Sequence, residues 1–346
     1  MTAPRANQAI VLAQRPQGLP DDSTWRLENR PVPELQRGQV LVAVREYSLD
    51  PAMRGWLDDR PSYLPPVGIN EVMRAMAVGE VIESKADAYP VGTWVLGPLG
   101  LQEFAVASGS MLTRVDAELG SPTEYLGVLG TTGLTAYFGL FEHGQPRAGD
   151  TVVVSAAAGA VGSVVGQLAR LSGARVVGIA GGAQKCAYLT DDLGFDAAID
   201  YRVDDVRRSL RKACPAGIDV YFDNVGGQIL DDALANLAMG ARVVICGAIS
   251  QYNIDPSDSG QSQVRGPANY MSLLVRRATM SGFLVFDYAA QYATARQRLS
   301  AWVKSGAITA RQTVVTGGLA DFPATFLALF AGENWGKLSL RLDATD

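Results

Sequence analysis

Three features of this 346-residue sequence have the residue types and spacing to do chemistry. The first is Gly149-Asp150-Thr151-Val152-Val153-Val154-Ser155-Ala156-Ala157-Ala158-Gly159-Ala160-Val161-Gly162, where a β-branched run ends in small residues and a helical pattern opens at once. Small residues let the main chain approach a pyrophosphate, and a helix N-terminus offers unbonded N–H groups and a positive dipole end. This is an AxxGxxG variant of the dinucleotide fingerprint in the strand-turn-helix context that the fingerprint needs, although tight strand–helix packing alone asks for the same small residues. The second feature lies at the end of the next β-type run. An NAD site carries an acid there, about 20 residues past the motif, to hold the ribose 2′-hydroxyl. Here Ala174 to Ala180 runs into Gly181-Gly182-Ala183-Gln184-Lys185, with no carboxylate and a cation that can meet a 2′-phosphate. Lys185 alone also reads as a solvated helix-start lysine; the missing acid and the arriving cation together favour NADPH.

The third feature is scarcity. With one histidine, a catalytic zinc site or a Ser-His-Asp triad would have to rest on His143 alone. His143, in Phe141-Glu142-His143-Gly144, reads as a helix C-terminal residue that caps carbonyls and complements the dipole. Cys186, Cys214 and Cys246 are odd in number and lack CxxC spacing, which suits a reducing compartment and a cytoplasmic protein. Cys246 reads as a buried strand-end residue, with nothing nearby in sequence to lower its pKa.

Rival motifs are absent. None of the 12 tyrosines has a lysine four positions later, no GxSxG elbow occurs, and Gly332-Glu333-Asn334-Trp335-Gly336-Lys337 is one residue short of a P-loop. Thirty basic against 35 acidic residues, with no basic run longer than a pair, argue against a nucleic-acid partner. MTAPRANQAIVLAQR has no apolar h-region, so no signal peptide is expected. Thr151 to Ala169 is uncharged and long enough to suggest a membrane span, but Gly159, Gly162 and Gly166 fit a buried strand turning into a buried helix better.

These residues need a scaffold. Hydrophobic residues at 48% against charged residues at 19% exclude disorder, and the length suggests two domains at about 150 residues each. Residues 1–125 are rich in Pro, Gly and short β-type runs. From 126 the β-branched runs alternate with helical stretches, the pattern of an α/β fold with a doubly wound parallel sheet. Strands are expected at 151–156, 174–180, 196–200, 218–223, 241–246 and 278–285. The polar stretch Gln251 to Gly266 is long for an αβ connection and reads as a lid or a disordered loop. A helix at 292–304, a β-type run at 313–315, a helix at 322–331 and a strand at 338–342 form a tail, 304–346, that returns to the first domain; 126–303 is the nucleotide-binding domain.

Several further segments carry a resemblance: Ser48-Leu49-Asp50-Pro51, Met53-Arg54, Pro61-Ser62-Tyr63-Leu64-Pro65-Pro66, Gly133-Leu134-Thr135-Ala136-Tyr137, Phe222-Asp223-Asn224-Val225-Gly226-Gly227, Cys246 to Asn253, and Gly336-Lys337. With the fingerprint they resemble the medium-chain dehydrogenase/reductase superfamily, in its zinc-free branch of prostaglandin reductases, plant double-bond reductases and bacterial curcumin reductases. The resemblance implies a GroES-like β-barrel catalytic domain beside a Rossmann domain, NADPH with no metal, a homodimer, and reduction of the C=C bond of α,β-unsaturated ketones or aldehydes. It implies that Ala157, Ala158, Gly159 and Gly162 meet the pyrophosphate and that Lys185 and Tyr201 meet the 2′-phosphate. Asn224, Cys246, Gly247, Ala248, Ile249, Ser250, Tyr252, Phe283, Leu284, Val285 and Asn334 match positions lining the rest of the cofactor. Asn224 also reads as a turn residue before Gly226-Gly227.

A hydride accepted at the β-carbon generates an enolate, which calls for a hydrogen-bond donor at the carbonyl oxygen and a dry slot. Tyr252 is the candidate donor; otherwise its phenol packs the cofactor or latches the loop. Relatives commonly read Asp-Pro-Tyr-Met-Arg where this chain has Asp50-Pro51-Ala52-Met53-Arg54, so Ala52 implies a wider substrate pocket or one filled from elsewhere, with Tyr63 and Tyr270 as replacement aromatics or ordinary packing residues. Gly130-Thr131-Thr132-Gly133 departs in the same way from the usual Gly-Met-Pro-Gly. Two other readings stand: a zinc-free oxidoreductase acting on quinones or secondary alcohols, and an NADPH-binding sensor with little turnover.

Overall fold

The computed structural model describes residues 6–254 and 266–343, and its chain divides into two compact units, Met1–Gly127 with Gln312–Asp346, and Val128–Arg311. The first unit opens with the antiparallel pair β1 (Ala6–Leu12) and β2 (Trp25–Pro31). It continues with β3 (Gln39–Leu49), β4 (Ala77–Ser84), β5 (Trp94–Gly97), β6 (Phe104–Ser108), β7 (Thr113–Arg114) and the short helix α1 (Pro122–Leu126). β3 is the spine: β4 and β6 both pair with it antiparallel.

The second unit begins with α2 (Thr131–Phe138), which runs into a π-helical turn over Gly139–Gly144. Strand and helix then alternate through β8 (Thr151–Val154), α3 (Ala160–Leu171), β9 (Arg175–Ala180), α4 (Ala183–Ala187), β10 (Ala197–Asp200), α5 (Val206–Ala213), β11 (Ile218–Asp223), α6 (Gly227–Leu234), β12 (Leu237–Ile245), α7 (Met271–Arg276), β13 (Thr279–Gly282) and α8 (Tyr292–Lys304). The sheet order is β10-β9-β8-β11-β12-β13 and every pairing is parallel. That order is the doubly wound dinucleotide-binding arrangement, in which β8 and β11 flank the switch point. β8 is fully buried, as a central strand covered by helices on both faces must be.

The chain then returns to the first unit with β14 (Gln312–Gly317), α9 (Phe322–Ala331) and β15 (Lys337–Leu342). β15 pairs antiparallel with β3 and parallel with β14, giving the seven-stranded order β14-β15-β3-β4-β5-β7, with β6 also on β3. Phe322 and Phe326 of α9 stand edge-on to Trp25 in the core with Leu12, Val42 and Tyr47. The fold is therefore α/β with a separate mixed sheet.

All six expected strands of the second unit are present, with altered ends: β12 starts four residues earlier than expected and β13 stops at Gly282, three residues short of 285. The uncharged stretch 151–169 resolves into β8 and α3, and no helix among the described residues is long and apolar enough to cross a membrane. Most of the expected lid, 255–265, lies outside the described residues.

Candidate functional site

The fingerprint folds as a strand, a turn and a helix. Ala156 takes φ +48°, a left-handed conformation disfavoured for a residue with a Cβ, at the tightest point of the turn. A Cβ on Gly162 would lie 2.5 Å from the Ala156 carbonyl oxygen, so only glycine lets α3 open this close to the turn. Ala157 is fully buried and its N–H is bonded to the Ile179 carbonyl at 3.0 Å, so that amide is committed to the sheet. Beyond it, Gly159 caps α3, and the first turn of the helix carries N–H groups without intrahelical partners, the kind of group that can meet an anion.

The turns after β8 and β11 are tied together. Ser155 Oγ donates to Asp223 Oδ1 at 3.0 Å and accepts the Asn224 N–H at 2.8 Å, and Asn224 Nδ2 donates to the Ser155 carbonyl at 2.7 Å. Asp223 Oδ1 also takes the Val225 and Gly226 amides and the Tyr221 hydroxyl. Burial raises the Asp223 carboxyl above its ordinary value, while these hydrogen bonds favour the charged form. Asn224 thus sits where the motif put it, at a strand C-terminus, but its side chain braces the cofactor turn. The loop after β12 is laced to the same turn: Cys246 and Gly247 donate to the Asp223 carbonyl, Ile249 to that of Asn224, and Ser250 Oγ to that of Val225. Tyr252 folds back so that its hydroxyl accepts the Ala248 N–H at 3.2 Å. Burial, with Asp223 nearby, pushes the Cys246 thiol up to about 12, consistent with an inert strand-end residue.

At the end of β9 the cations gather. A Cβ on Gly181 would come within 2.9 Å of both the Tyr201 ring and Arg202 Nε, so both side chains lie against bare main chain there. Asp200 Oδ1 holds the place by accepting the Gly182 N–H at 2.8 Å and the Arg202 N–H at 3.0 Å. Partial burial, then the Arg202 charge, lowers the Lys185 pKa. Arg202 was not singled out from sequence, although a cation directly after Tyr201 was a legible signal. This cradle of Lys185, Tyr201 and Arg202 fits a 2′-phosphate, and the α3 N-terminus fits a pyrophosphate.

The Phe283 ring is stacked on His143 at 5.1 Å, and a Cβ on Gly139 would lie 2.4 Å from it, so the ring anchors the segment, while the Leu284 side chain is 38% exposed. His143 does not cap the helix: Nδ1 meets Ser281 Oγ at 3.1 Å and Nε2 meets the Tyr288 hydroxyl at 2.8 Å. A ring turned towards β13 cannot also reach the terminal carbonyls.

Ala52, Met53, Tyr63 and Asn334 belong to the first unit, and the other singled-out residues, Tyr270 included, to the second. Ala52 is half-buried, whereas Met53 is buried in the core with its sulfur against the Asp50 N–H, so it supports the segment from behind. Tyr63 is 44% exposed, its hydroxyl accepting from Trp56 Nε1 at 3.3 Å, and Tyr270 is 59% exposed beside α7. Asn334 Nδ2 donates to the Gly336 carbonyl ahead of β15. Among the described residues no group of three or more His, Cys, Asp or Glu could hold a metal ion.

A doubly wound parallel sheet with a glycine fingerprint at its switch point, joined to a mixed-sheet unit, defines a dinucleotide-dependent oxidoreductase architecture. Residues 8–115 match the family described as the N-terminal domain of oxidoreductase, and residues 160–301 match that described as zinc-binding dehydrogenase. The chain is 44% identical to a putative NADP-dependent oxidoreductase, YfmJ, of Bacillus subtilis over 99% of both chains. It is 42% identical to the NADPH-dependent curcumin reductase of Escherichia coli over 98% of both. The crystal structure of CurA from Vibrio vulnificus in complex with NADPH superimposes with a TM-score of 0.91 at 40% identity, covering 98% of this chain and 100% of that one. The chain belongs to the medium-chain dehydrogenase/reductase superfamily, in the branch of curcumin, prostaglandin and alkenal reductases.

Proposed function

We propose that this protein is an NADPH-dependent reductase of the C=C bond of α,β-unsaturated ketones and aldehydes. The observation that carries the cofactor choice is the cradle at the end of β9, where Lys185, Tyr201 and Arg202 gather and the nearby Asp200 carboxylate is taken up by the Gly182 and Arg202 amides. The C=C chemistry rests on kinship with relatives named curcumin, prostaglandin and 2-alkenal reductases. When bound, NADPH supplies the hydride. The chain's own part is to hold the pyrophosphate at the α3 N-terminus, fix the loop 246–252 against the turn 223–225, and present the Tyr252 hydroxyl to the carbonyl oxygen where enolate charge develops. The α-carbon then takes a proton to complete the saturated product. Ala52 gives the substrate more room than a tyrosine at that position would. The zinc-free reading agrees with the single histidine.

The purified protein is expected to consume NADPH with enones of increasing size up to a bulky diarylheptanoid and far less with quinones, and to reduce NADP⁺ little when given allylic or secondary alcohols. Turnover of quinones or secondary alcohols alone would favour the second chemistry, and tight NADPH binding with no electrophile consumed would favour a sensor. Tyr252→Phe is expected to slow single-turnover hydride transfer about 10- to 100-fold, the value of one hydrogen bond to an oxygen that becomes charged. An unchanged rate would reduce Tyr252 to a packing residue.

A homodimer is part of the same reading. Among the described residues β13 is the edge strand of its sheet, and α7, packed on β12, leaves Met271, Leu274 and Val275 at least half exposed, a face suited to a second copy. All three cysteines are free, which supports a cytoplasmic setting.

A further inference from the structure

We propose that His143 is a positioning residue for the nicotinamide half of the cofactor, acting through the segment 281–288. The inference rests on the cofactor reading above. In the order β10-β9-β8-β11-β12-β13 the pyrophosphate crosses at β8 and the 2′-phosphate cradle lies at β9, so the other half of a dinucleotide extends towards β11–β13. Residues 283–285 leave the C-terminal end of β13 on that side, in extended backbone at Leu284.

One side chain grips this segment at three points. Nδ1 of His143 bonds Ser281 Oγ on β13, its ring stacks on Phe283, and Nε2 bonds the Tyr288 hydroxyl beyond the turn. Both partners are hydroxyls, which donate or accept, so either tautomer of the imidazole is held. The surroundings are built to receive it. Gly139, one helical turn before His143, is the only residue type that admits the Phe283 ring. Tyr288 stacks on Phe138 at 4.6 Å with planes 9° apart, and Tyr292 donates to the Val285 carbonyl at 2.9 Å. The main chain of 283–285 is therefore clamped from β13 and from the following turn, and His143 joins the two clamps. With its nitrogens on Ser281 and Tyr288 and its face on Phe283, the imidazole sets where the segment lies.

The full-length protein tests this by comparing NADPH with 2′,5′-ADP, which carries the 2′-phosphoadenosine end and no nicotinamide. His143→Leu is expected to weaken NADPH binding, titrated directly, about three- to tenfold and to shift kcat or KM for NADPH accordingly, with 2′,5′-ADP affinity held within about twofold. His143→Phe, which keeps the stack, should recover part of the loss. Tyr288→Phe removes one hydroxyl, keeps the stack on Phe138, and should weaken NADPH in the same direction by a smaller factor, so the test survives misfolding of the leucine variant. Equal weakening of both ligands would reduce His143 to a structural residue and overturn the proposal, as would unchanged NADPH affinity in all three variants. Those outcomes leave the cofactor reading standing; failure of the unaltered protein to bind 2′,5′-ADP and NADPH would overturn both.

Discussion

Replacing Lys185 and Arg202 together with alanine is expected to raise KM for NADPH by about 10²–10³-fold and to leave KM for NADH nearly unchanged. A hydrogen bond to a charged group is worth about 1.5–3 kcal/mol, and on the function proposed above two such groups would meet one phosphate. The upper part of that range is not reached, because the two cations also repel each other: the Arg202 charge contributes to the lowered Lys185 pKa, and deleting one relieves the other. The single variants should therefore each cost less than half the logarithm of the double. The lowered pKa also fixes the sign of the pH dependence. Lys185 is more easily deprotonated in the free protein than in water, and a bound phosphate dianion raises it again, so NADPH affinity falls as pH rises through the lysine's free-protein pKa. Steady-state kinetics with both cofactors across pH checks this. A parallel loss with NADH would show that the cluster supports the fold and does not read the phosphate.

The parts of this protein legible in its sequence are those governed by neighbours along the chain. β-branched runs such as Val152-Val153-Val154 and Arg175-Val176-Val177 announced the parallel strands, and small residues from Ala156 to Gly162 announced the turn between β8 and α3. What escaped depends on side-chain direction or distant partners. Phe283 matched a cofactor-lining position, but whether its ring or its main chain faces the ligand depends on Gly139, 144 residues away. His143 looked like a cap because only its own helix was visible; Ser281 and Tyr288 arrive from a strand and a turn more than a hundred residues later. That the Ala157 amide is taken by the Ile179 carbonyl of the next strand could not be read from the motif alone. Met53 sits beside Ala52 in sequence, yet the short helix after Asp50 turns one outward and the other into the core.

Lys337→Met is expected to lower the stability of the first unit by about 3–5 kcal/mol. Lys337 Nζ is buried and donates to the Leu49 carbonyl at 2.8 Å and to Asp50 Oδ1 at 2.6 Å, while the other Asp50 oxygen accepts from Ser48 Oγ. Burial disfavours the ammonium and the Asp50 charge holds it, so each charge is tolerable only because of the other. Methionine fills much the same volume and removes the partner, which leaves a partly buried carboxylate without its cation and the Leu49 carbonyl without that donor. The contact joins β15, supplied by the last residues of the chain, to the end of β3, 287 positions earlier, and it fixes the start of Asp50-Pro51-Ala52. Thermal unfolding should show an early transition lowered by roughly 6–20 °C, at about 2–4 °C per kcal/mol for a unit of this size. Adding Asp50→Asn should restore part of the loss, because the stranded charge is then gone, and a coupling energy near zero in that double-mutant cycle would show that the pair does not hold the tail to the sheet.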